Sequence, residues 1–436
     1  MVRMSYPCRH RTLWNPCTQV PRPLSFSPAP DTNNLSGQAG SYRQLVTPLF
    51  GRHRLSLQYT FSRDKMPGIL PINDLPRLVS AAFSRALAQK ELTFYSTEVT
   101  VLTLGGVPFQ VRFAPGLSRK PEPGAAPAAP QPPAQAETNP YGILKADEYL
   151  VEEVNRQHRL EARKARMLAN DVFKNPPEAL RIADLGPSHY LVLNKFAIAA
   201  EHFILATNEF KDQDHLLEKD DFAAIRACID AYDNADGGDG LFTFFNSGEF
   251  SGASQAHRHV QMIPISRMKD GLGSDSPWSV VADMLTVKDK QFGTITAHLP
   301  FTVVARNTSG MDADELHRTY LDMYQKGCMV EATVTLHPKH EIEPRLEGPS
   351  RISYNLAMTK DTMVLLPRLS DKIHLQDAEG KPLGVKLSVN GTILAGTVLV
   401  KEEHDYRVIQ KFPRALKRGL ERIGVPSYLY PGPLSL

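Results

Sequence analysis

His257 and His259 stand one residue apart, and Gln261 follows at the same interval. Side chains along an extended strand alternate between faces, so this spacing aims two imidazoles and a carboxamide in one direction. Val260 and Met262 then turn toward an apolar layer. Just upstream, residues 246–254 read Asn-Ser-Gly-Glu-Phe-Ser-Gly-Ala-Ser. Small residues of this kind let backbone N–H groups approach an anion closely. An imidazole beside a phosphate cradle has the parts for nucleotidyl transfer through a covalent histidine intermediate. Imidazole suits the task because, with an ordinary pKa of about 6.5, much of it is neutral and nucleophilic near neutral pH. Its other ring nitrogen needs an acceptor to fix the tautomer, and a backbone carbonyl across a strand pair would serve. Zinc binding by the two histidines is a rival chemistry. It requires a third or fourth ligand, and the sequence offers none with ligand spacing.

Such residues need a sheet to hold them. Residues 190–196 and 201–207 are apolar, β-like runs. Residues 217–232 carry Leu217, Phe222, Ile225, Ile229 and Tyr232 near helical spacing. A Gly/Asp turn at 236–240 precedes another strand, 241–246, which leads through the Gly/Ser segment into the histidine strand. This order predicts an α+β fold built on a mostly antiparallel sheet with helices on one face. Upstream, Asp74 is placed to cap a helix that runs to Lys90, and residues 98–104 and 107–113 read as a hairpin about Gly105-Gly106. Downstream, 311–324 reads as a helix, 352–358 and 362–368 as a hairpin about Lys360-Asp361, and 412–423 as an amphipathic helix. His189 and His202 read as structural histidines.

The 436 residues are 42% hydrophobic and 22% charged, the balance of an ordinary globular chain. A net charge of +3 argues against a general nucleic-acid or membrane binder and leaves room for a local basic phosphate site. No apolar run approaches the roughly 18 residues of a membrane span. Cys8, Cys17, Cys228 and Cys328 form no C-x-x-C pair, which fits a reducing compartment, with Cys228 and Cys328 buried and inert. Residues 1–65 hold eight Arg and one Lys against Asp31 and Asp64. That is the composition of a mitochondrial transit peptide, or of an upstream extension ahead of a start at Met66, and it predicts disorder in both cases. Residues 121–136 contain six Pro and six Ala and read as an exposed linker.

His-x-His-x-Gln preceded by Phe-Phe-Asn-Ser-Gly and Ser-Gly-Ala-Ser-Gln resembles the transferase branch of the histidine-triad (HIT) superfamily. It is most similar to the fungal-type diadenosine tetraphosphate phosphorylases, also called ATP adenylyltransferases. Leu193-Asn-Lys-Phe196, Glu201-His-Phe203 and Ser353-Tyr-Asn355 look like segments of the same family. The resemblance spans about residues 67–430. It implies a HIT-like catalytic region over 67–265 and a C-terminal α/β adenylyltransferase region over 266–430. It implies that His259 is the nucleophile, that His257 orients the phosphates or the nucleophile, and that Gln261 stands where hydrolytic relatives carry a third histidine. A carboxamide can hydrogen-bond a phosphoryl oxygen and cannot titrate, so it favours transfer over hydrolysis. By the same carry-over, Asn246 with Gly252, Ala253, Ser254 and Gln255 contacts phosphates, and Asn194, Lys195 and Lys120 bind nucleotide. Asn355, Met363 and Arg368 are further substrate contacts. The implied partners are small molecules only, a diadenosine polyphosphate, ATP, ADP and phosphate, with no nucleic acid or membrane, on a monomer or weak oligomer in the cytoplasm, with the nucleus as an added site or the mitochondrion if 1–65 is a transit peptide. A divalent cation such as Mg²⁺ accompanies the polyphosphate, with no organic cofactor and no protein-held metal. A HIT-type hydrolase and a catalytically silent nucleotide sensor are the alternatives.

Overall fold

The computed structural model describes residues 74–119, 146–235, 238–285, 298–335 and 345–429, all within one unit running from Arg63 to Leu436. Residues 1–65, the insert at 121–136 and Lys120 lie outside the described residues.

Helix α1 (Leu75–Ala88) buries Leu75, Val79, Ala82, Phe83 and Ala86 at helical spacing. Asp74 precedes it, but its carboxylate accepts from Arg77 Nε at 2.6 Å instead of capping an amide. Strands β1 (Thr93–Phe94), β2 (Glu98–Leu104) and β3 (Val107–Phe113) follow, with β2 and β3 forming the hairpin about Gly105-Gly106. Helix α2 (Ala146–Ala169) was not foreseen from the sequence. After it come β4 (Arg181–Leu185), β5 (His189–Leu193), β6 (Phe196–Ala197), β7 (Phe203–Thr207), α3 (Lys219–Asp233), β8 (Leu241–Ser247) and β9 (His259–Pro264). Short helices α4 (Ile265–Met268) and α5 (Val281–Met284) lead to β10 (Val304–Asn307) and α6 (Ala313–Ala332). Asp312 and Glu315 start α6 reciprocally: each carboxylate accepts the other residue's backbone N–H at 2.9 Å. The chain ends with β11 (Ser353–Met358), β12 (Thr362–Arg368), β13 (Lys372–Gln376), β14 (Pro382–Ser388), β15 (Thr397–Val400), α7 (Glu403–Lys411) and α8 (Pro413–Leu420).

Eight strands form the central sheet in the order β10-β12-β11-β8-β9-β7-β5-β4, every pair antiparallel. The sheet crosses Ile265, so strands from both regions separated in the sequence share one set of ladders. Its two faces bury different cores. Phe245, Val260, Met262, Leu356, Met363 and Leu365 pack under α1, α3 and α6, against Phe222, Ile225, Leu316 and Met323. Phe242, Phe244, Ile263, Val364 and Leu366 face a second layer made of Phe109, Val111, Ile393, Val398 and Leu416. That layer is a three-stranded sheet in which β15 runs parallel to β3, with α7 and α8 beside it. The candidate site residues His259, Gln261 and Asn246 share the parity of Ile263 and Phe244 and lie on this second face. Among the described residues, no helix is long and apolar enough to cross a membrane.

Candidate functional site

His259 opens β9 and is buried. Its Nδ1 lies 2.8 Å from the carbonyl oxygen of His257. A carbonyl only accepts, so Nδ1 carries the proton and Nε2 keeps its lone pair. The expected acceptor is therefore present, but on the same chain segment two residues back and not across a strand pair. Burial pushes the His259 ring down to about pKa 4, which leaves it neutral throughout the physiological range. The ring of Phe173 lies over it with centroids 4.9 Å apart. The His259 backbone N–H donates to Gln213 Oε1 at 2.7 Å.

His257 is not aimed at a ligand. Its Nδ1 lies 2.9 Å from Asp171 Oδ2, and its Nε2 lies 2.9 Å from Thr207 O and 3.1 Å from Thr207 Oγ1. Both ring nitrogens are committed to protein groups, so the ring does not orient phosphates. It fixes the peptide whose carbonyl sets the tautomer of His259. Zinc binding by the pair is excluded on the same ground, since three of the four ring nitrogens are already hydrogen-bonded. Arg258, between the two histidines, points to the opposite face. Its Nη1 donates to Asp221 Oδ2 and Glu218 Oε1 at 2.8 Å, and Asp221 Oδ1 lies 2.8 Å from His189 Nε2. These contacts anchor the motif to the start of α3, and His189 is structural.

His202, also read as structural, acts on the site. Its Nε2 donates to Gln261 Oε1 at 2.7 Å, which fixes the carboxamide and turns the Gln261 amide nitrogen outward as a donor. Asn194 Nδ2 approaches His202 Nδ1 at 3.4 Å, and its Oδ1 accepts from Phe196 N–H at 3.0 Å. Asn194 is thus one step removed from Gln261. Lys195 beside it is exposed.

Between β8 and β9 the Gly/Ser loop folds tightly. Gly248 (φ 86°) and Gly252 (φ 81°) adopt left-handed backbone, and a Cβ at either would meet Ser353 Oγ at 2.6 Å or Val389 O at 2.7 Å. Ser251 Oγ donates to Gly248 O at 2.7 Å and accepts from Ala253 N–H at 3.2 Å. Helix α2 clasps the loop: Arg163 Nη2 donates to Ala253 O and Arg156 Nη1 to Glu249 Oε2, both at 2.7 Å. Ser254 is exposed, and Gln255 lines a cavity of about 280 Å³ between the loop and Arg163 and Lys164.

Asn246, at the end of β8, accepts on Oδ1 from Asn355 Nδ2 (2.8 Å) and from Gly391 N–H (2.9 Å). Its Nδ2 is therefore the donor that it can offer to a phosphoryl oxygen. The substrate contacts implied for Asn355, Met363 and Arg368 require a correction, because all three are fully buried. Asn355 donates to Asn246 and to Ser251 O at 2.8 Å and accepts from Arg368 Nη1. Arg368 gives three more donors to Ile423 O, Ser370 O and Val389 O. Burial pulls its guanidinium down to about pKa 9, still charged at neutral pH. Met363 has the opposite parity in β12 and packs in the core beneath α6. Asp171, Phe173 and Gln213 belong to the site and carried no signal in the sequence, since each reaches the motif from a distant segment without a recurring pattern. Asp212, Asp214 and His215 are the one cluster of metal-ligand type among the described residues. It is already engaged internally, with Lys164 Nζ 2.5 Å from Asp212 Oδ1 and His215 Nε2 3.5 Å from Asp212 Oδ2.

Residues 144–280 match the family described as the Ap4A phosphorylase N-terminal domain, and residues 297–426 match the ATP adenylyltransferase C-terminal domain. Together the two matches span more than half of the chain. Diadenosine 5',5'''-P1,P4-tetraphosphate phosphorylase 2 of Saccharomyces cerevisiae is 28% identical over 273 residues, 59% of this chain and 77% of that protein. Protein APA1 of the same yeast is 23% identical over 367 residues, 81% of this chain and 95% of its own length. The crystal structure of yeast Ap4A phosphorylase Apa2 shares the fold, with a TM-score of 0.54 at 21% identity over 82% of this chain and 99% of that one. Its complex with Ap4A gives a TM-score of 0.54 at 20% identity, with the same coverage.

Proposed function

Since the chain belongs to the Ap4A phosphorylase family of ATP adenylyltransferases, we propose that it cleaves diadenosine tetraphosphate by phosphorolysis, giving ADP and ATP, and runs the reaction in reverse. His259 Nε2 attacks the α-phosphorus of one adenylyl group. A P–N bond forms, the P–O bond to the leaving ATP breaks, and ATP departs with the electron pair. An oxygen of inorganic phosphate then attacks the same phosphorus, the P–N bond breaks, and ADP forms. Two in-line displacements retain configuration at phosphorus.

The observation that carries this reading is the bond from His259 Nδ1–H to the His257 carbonyl, in a ring that burial keeps neutral. The lone pair is thereby confined to the nitrogen facing the site. Gln261, held by His202, supplies a hydrogen-bond donor that cannot act as a general base on water. Asn246 Nδ2, the Gly252–Gln255 segment and the exposed Lys195 supply donors and charge for the polyphosphate. A divalent cation carried in with the polyphosphate would neutralise phosphate charge there. The free Cys228 and Cys328 fit a reducing compartment, such as the cytoplasm.

The test is a single-turnover incubation with adenine-labelled Ap4A in the absence of phosphate, read by intact-protein mass spectrometry. An AMP-sized adduct on His259, discharged to ADP when phosphate is added, is the expected result. AMP accumulating with no adduct would replace this reading with a hydrolase. Binding with no product at all would replace it with a silent nucleotide binder.

A further inference from the structure

We propose that Gln213 is a positioning residue whose carboxamide wedges the sheet open at the nucleophile; the proposal rests on the adenylyl-histidine reading above. Strands β8 and β9 pair from Leu241 opposite Pro264 to Phe244 opposite Gln261, and there their ladder stops. Neither strand ends at that point. β8 continues on β11 as far as Ser247, and β9 continues on β7 as far as His259. The same register carried two residues further would set Asn246 against His259 as a directly bonded pair.

Gln213 occupies that position instead. The His259 backbone N–H donates to Gln213 Oε1 at 2.7 Å, and Gln213 Nε2 donates to Asn246 O at 2.8 Å and to His259 O at 3.2 Å. A carboxamide carries the donor and acceptor of a peptide group. It therefore replaces one rung with a longer relay, from N–H to side-chain oxygen and from side-chain nitrogen to carbonyl. The wedge is itself fixed. Gln213 is 4% exposed, and its backbone N–H donates to Ala256 O at 2.8 Å. Next to it, Arg258 N–H donates to Lys211 O at 2.7 Å. Asn246 and His259 share a face, so the parting of their strands sets the separation between the nucleophilic ring and the Asn246 amide. That separation is the space a phosphoryl group must fill.

The experiment uses the full chain with Ap4A as probe and compares wild type with Gln213→Leu and Gln213→Glu. Leucine keeps the bulk and removes all three bonds; glutamate keeps the acceptor for His259 N–H and loses the donor. For Gln213→Leu we expect formation of the His259 adduct to slow by about 100-fold, the loss that a displacement of about 1 Å can cause, with KM within about threefold. Amide exchange should rise in peptides covering residues 244–261 and not in α3 or α6. A folded Gln213→Leu protein that forms the adduct within threefold of the wild-type rate would overturn the proposal. So would a KM effect larger than the rate effect. If leucine does not fold, glutamate decides: a tenfold slower adduct supports the wedge, and an unchanged rate ends it. If wild type forms no adduct, the phosphorylase reading fails separately, and local amide exchange alone judges the wedge, with no rise at 244–261 counting against it.

Discussion

Strands β9 and β12 both set polar side chains on the same face of one sheet, and they use them in opposite ways. On β9, His259 and Gln261 each have one hydrogen-bonding atom held by a protein partner and another turned outward. On β12, Arg368 is buried and gives four of its five N–H donors to Asn355 and to three backbone carbonyls. A polar residue near an active site is thus informative only when its valences are counted. In the proposed mechanism half-satisfied groups touch substrate, and groups whose bonds go to the protein build the wall that orients them. Asn246 marks the boundary, with its oxygen doubly bonded to the wall and its nitrogen facing the site.

The contrast can be broken most directly at His259. His259→Asn removes the covalent intermediate and should lower phosphorolysis by ~10⁴-fold or more, with Ap4A affinity by titration calorimetry within about tenfold of wild type. A variant retaining a tenth of the turnover would place the nucleophile elsewhere. Arg368→Met strands several carbonyls in the interior, each unmet acceptor costing roughly 1–3 kcal/mol, so urea unfolding should show a loss of about 4 kcal/mol with KM per folded molecule within about threefold. A large rise in KM with stability intact would make Arg368 a ligand contact and dissolve the distinction.

A third measurement concerns protons. The His259 ring sits near pKa 4 in the folded chain and should return to about 6.5 when unfolded. Between those values the unfolded state binds the extra proton, so this group's contribution to stability is full above pH 6.5 and is lost as pH falls toward 4. Wild type should lose roughly 3 kcal/mol more than His259→Asn across that window, and parallel unfolding curves for the two proteins would contradict the burial argument. The smallest effect is expected at Met363. Met363→Leu, a volume-conserving change in the core, should cost less than about 1.5 kcal/mol and leave KM alone; an altered KM would return Met363 to the site.

Much of this was legible because it is periodic or local. The apolar run at 241–246, the alternation through 259–264, the helical spacing behind α3 and the hairpin about Lys360-Asp361 each follow from neighbours in the chain. The spacing of His259 and Gln261 marked the strand of the proposed nucleophile for the same reason, whereas His257 lies just ahead of β9 and turns to Asp171 and Thr207. Helix α2 was missed because its charged residues outnumber its large apolar ones. The β15–β3 pairing was missed because it joins Thr397 to Gln110, a contact no window can see. Asp171 lies 86 residues from His257 and Gln213 lies 46 from His259, so neither could be read as part of a motif. Met363 and Arg368 came from resemblance alone, and parity along β12 is what sends one to the core and the other to the wall.

The Asn246 amide is oriented by Asn355 and by the N–H of Gly391, which follow it by 109 and 145 residues. Read in the order of synthesis, the histidine strand leaves the ribosome long before the residues that aim its partner. At roughly 5–20 residues per second, a nascent chain that has just made His259 still waits on the order of ten seconds or more for Gly391. During that interval the His-x-His-x-Gln motif exists without the groups that orient Asn246, so the site is completed only once the chain has been made through Gly391.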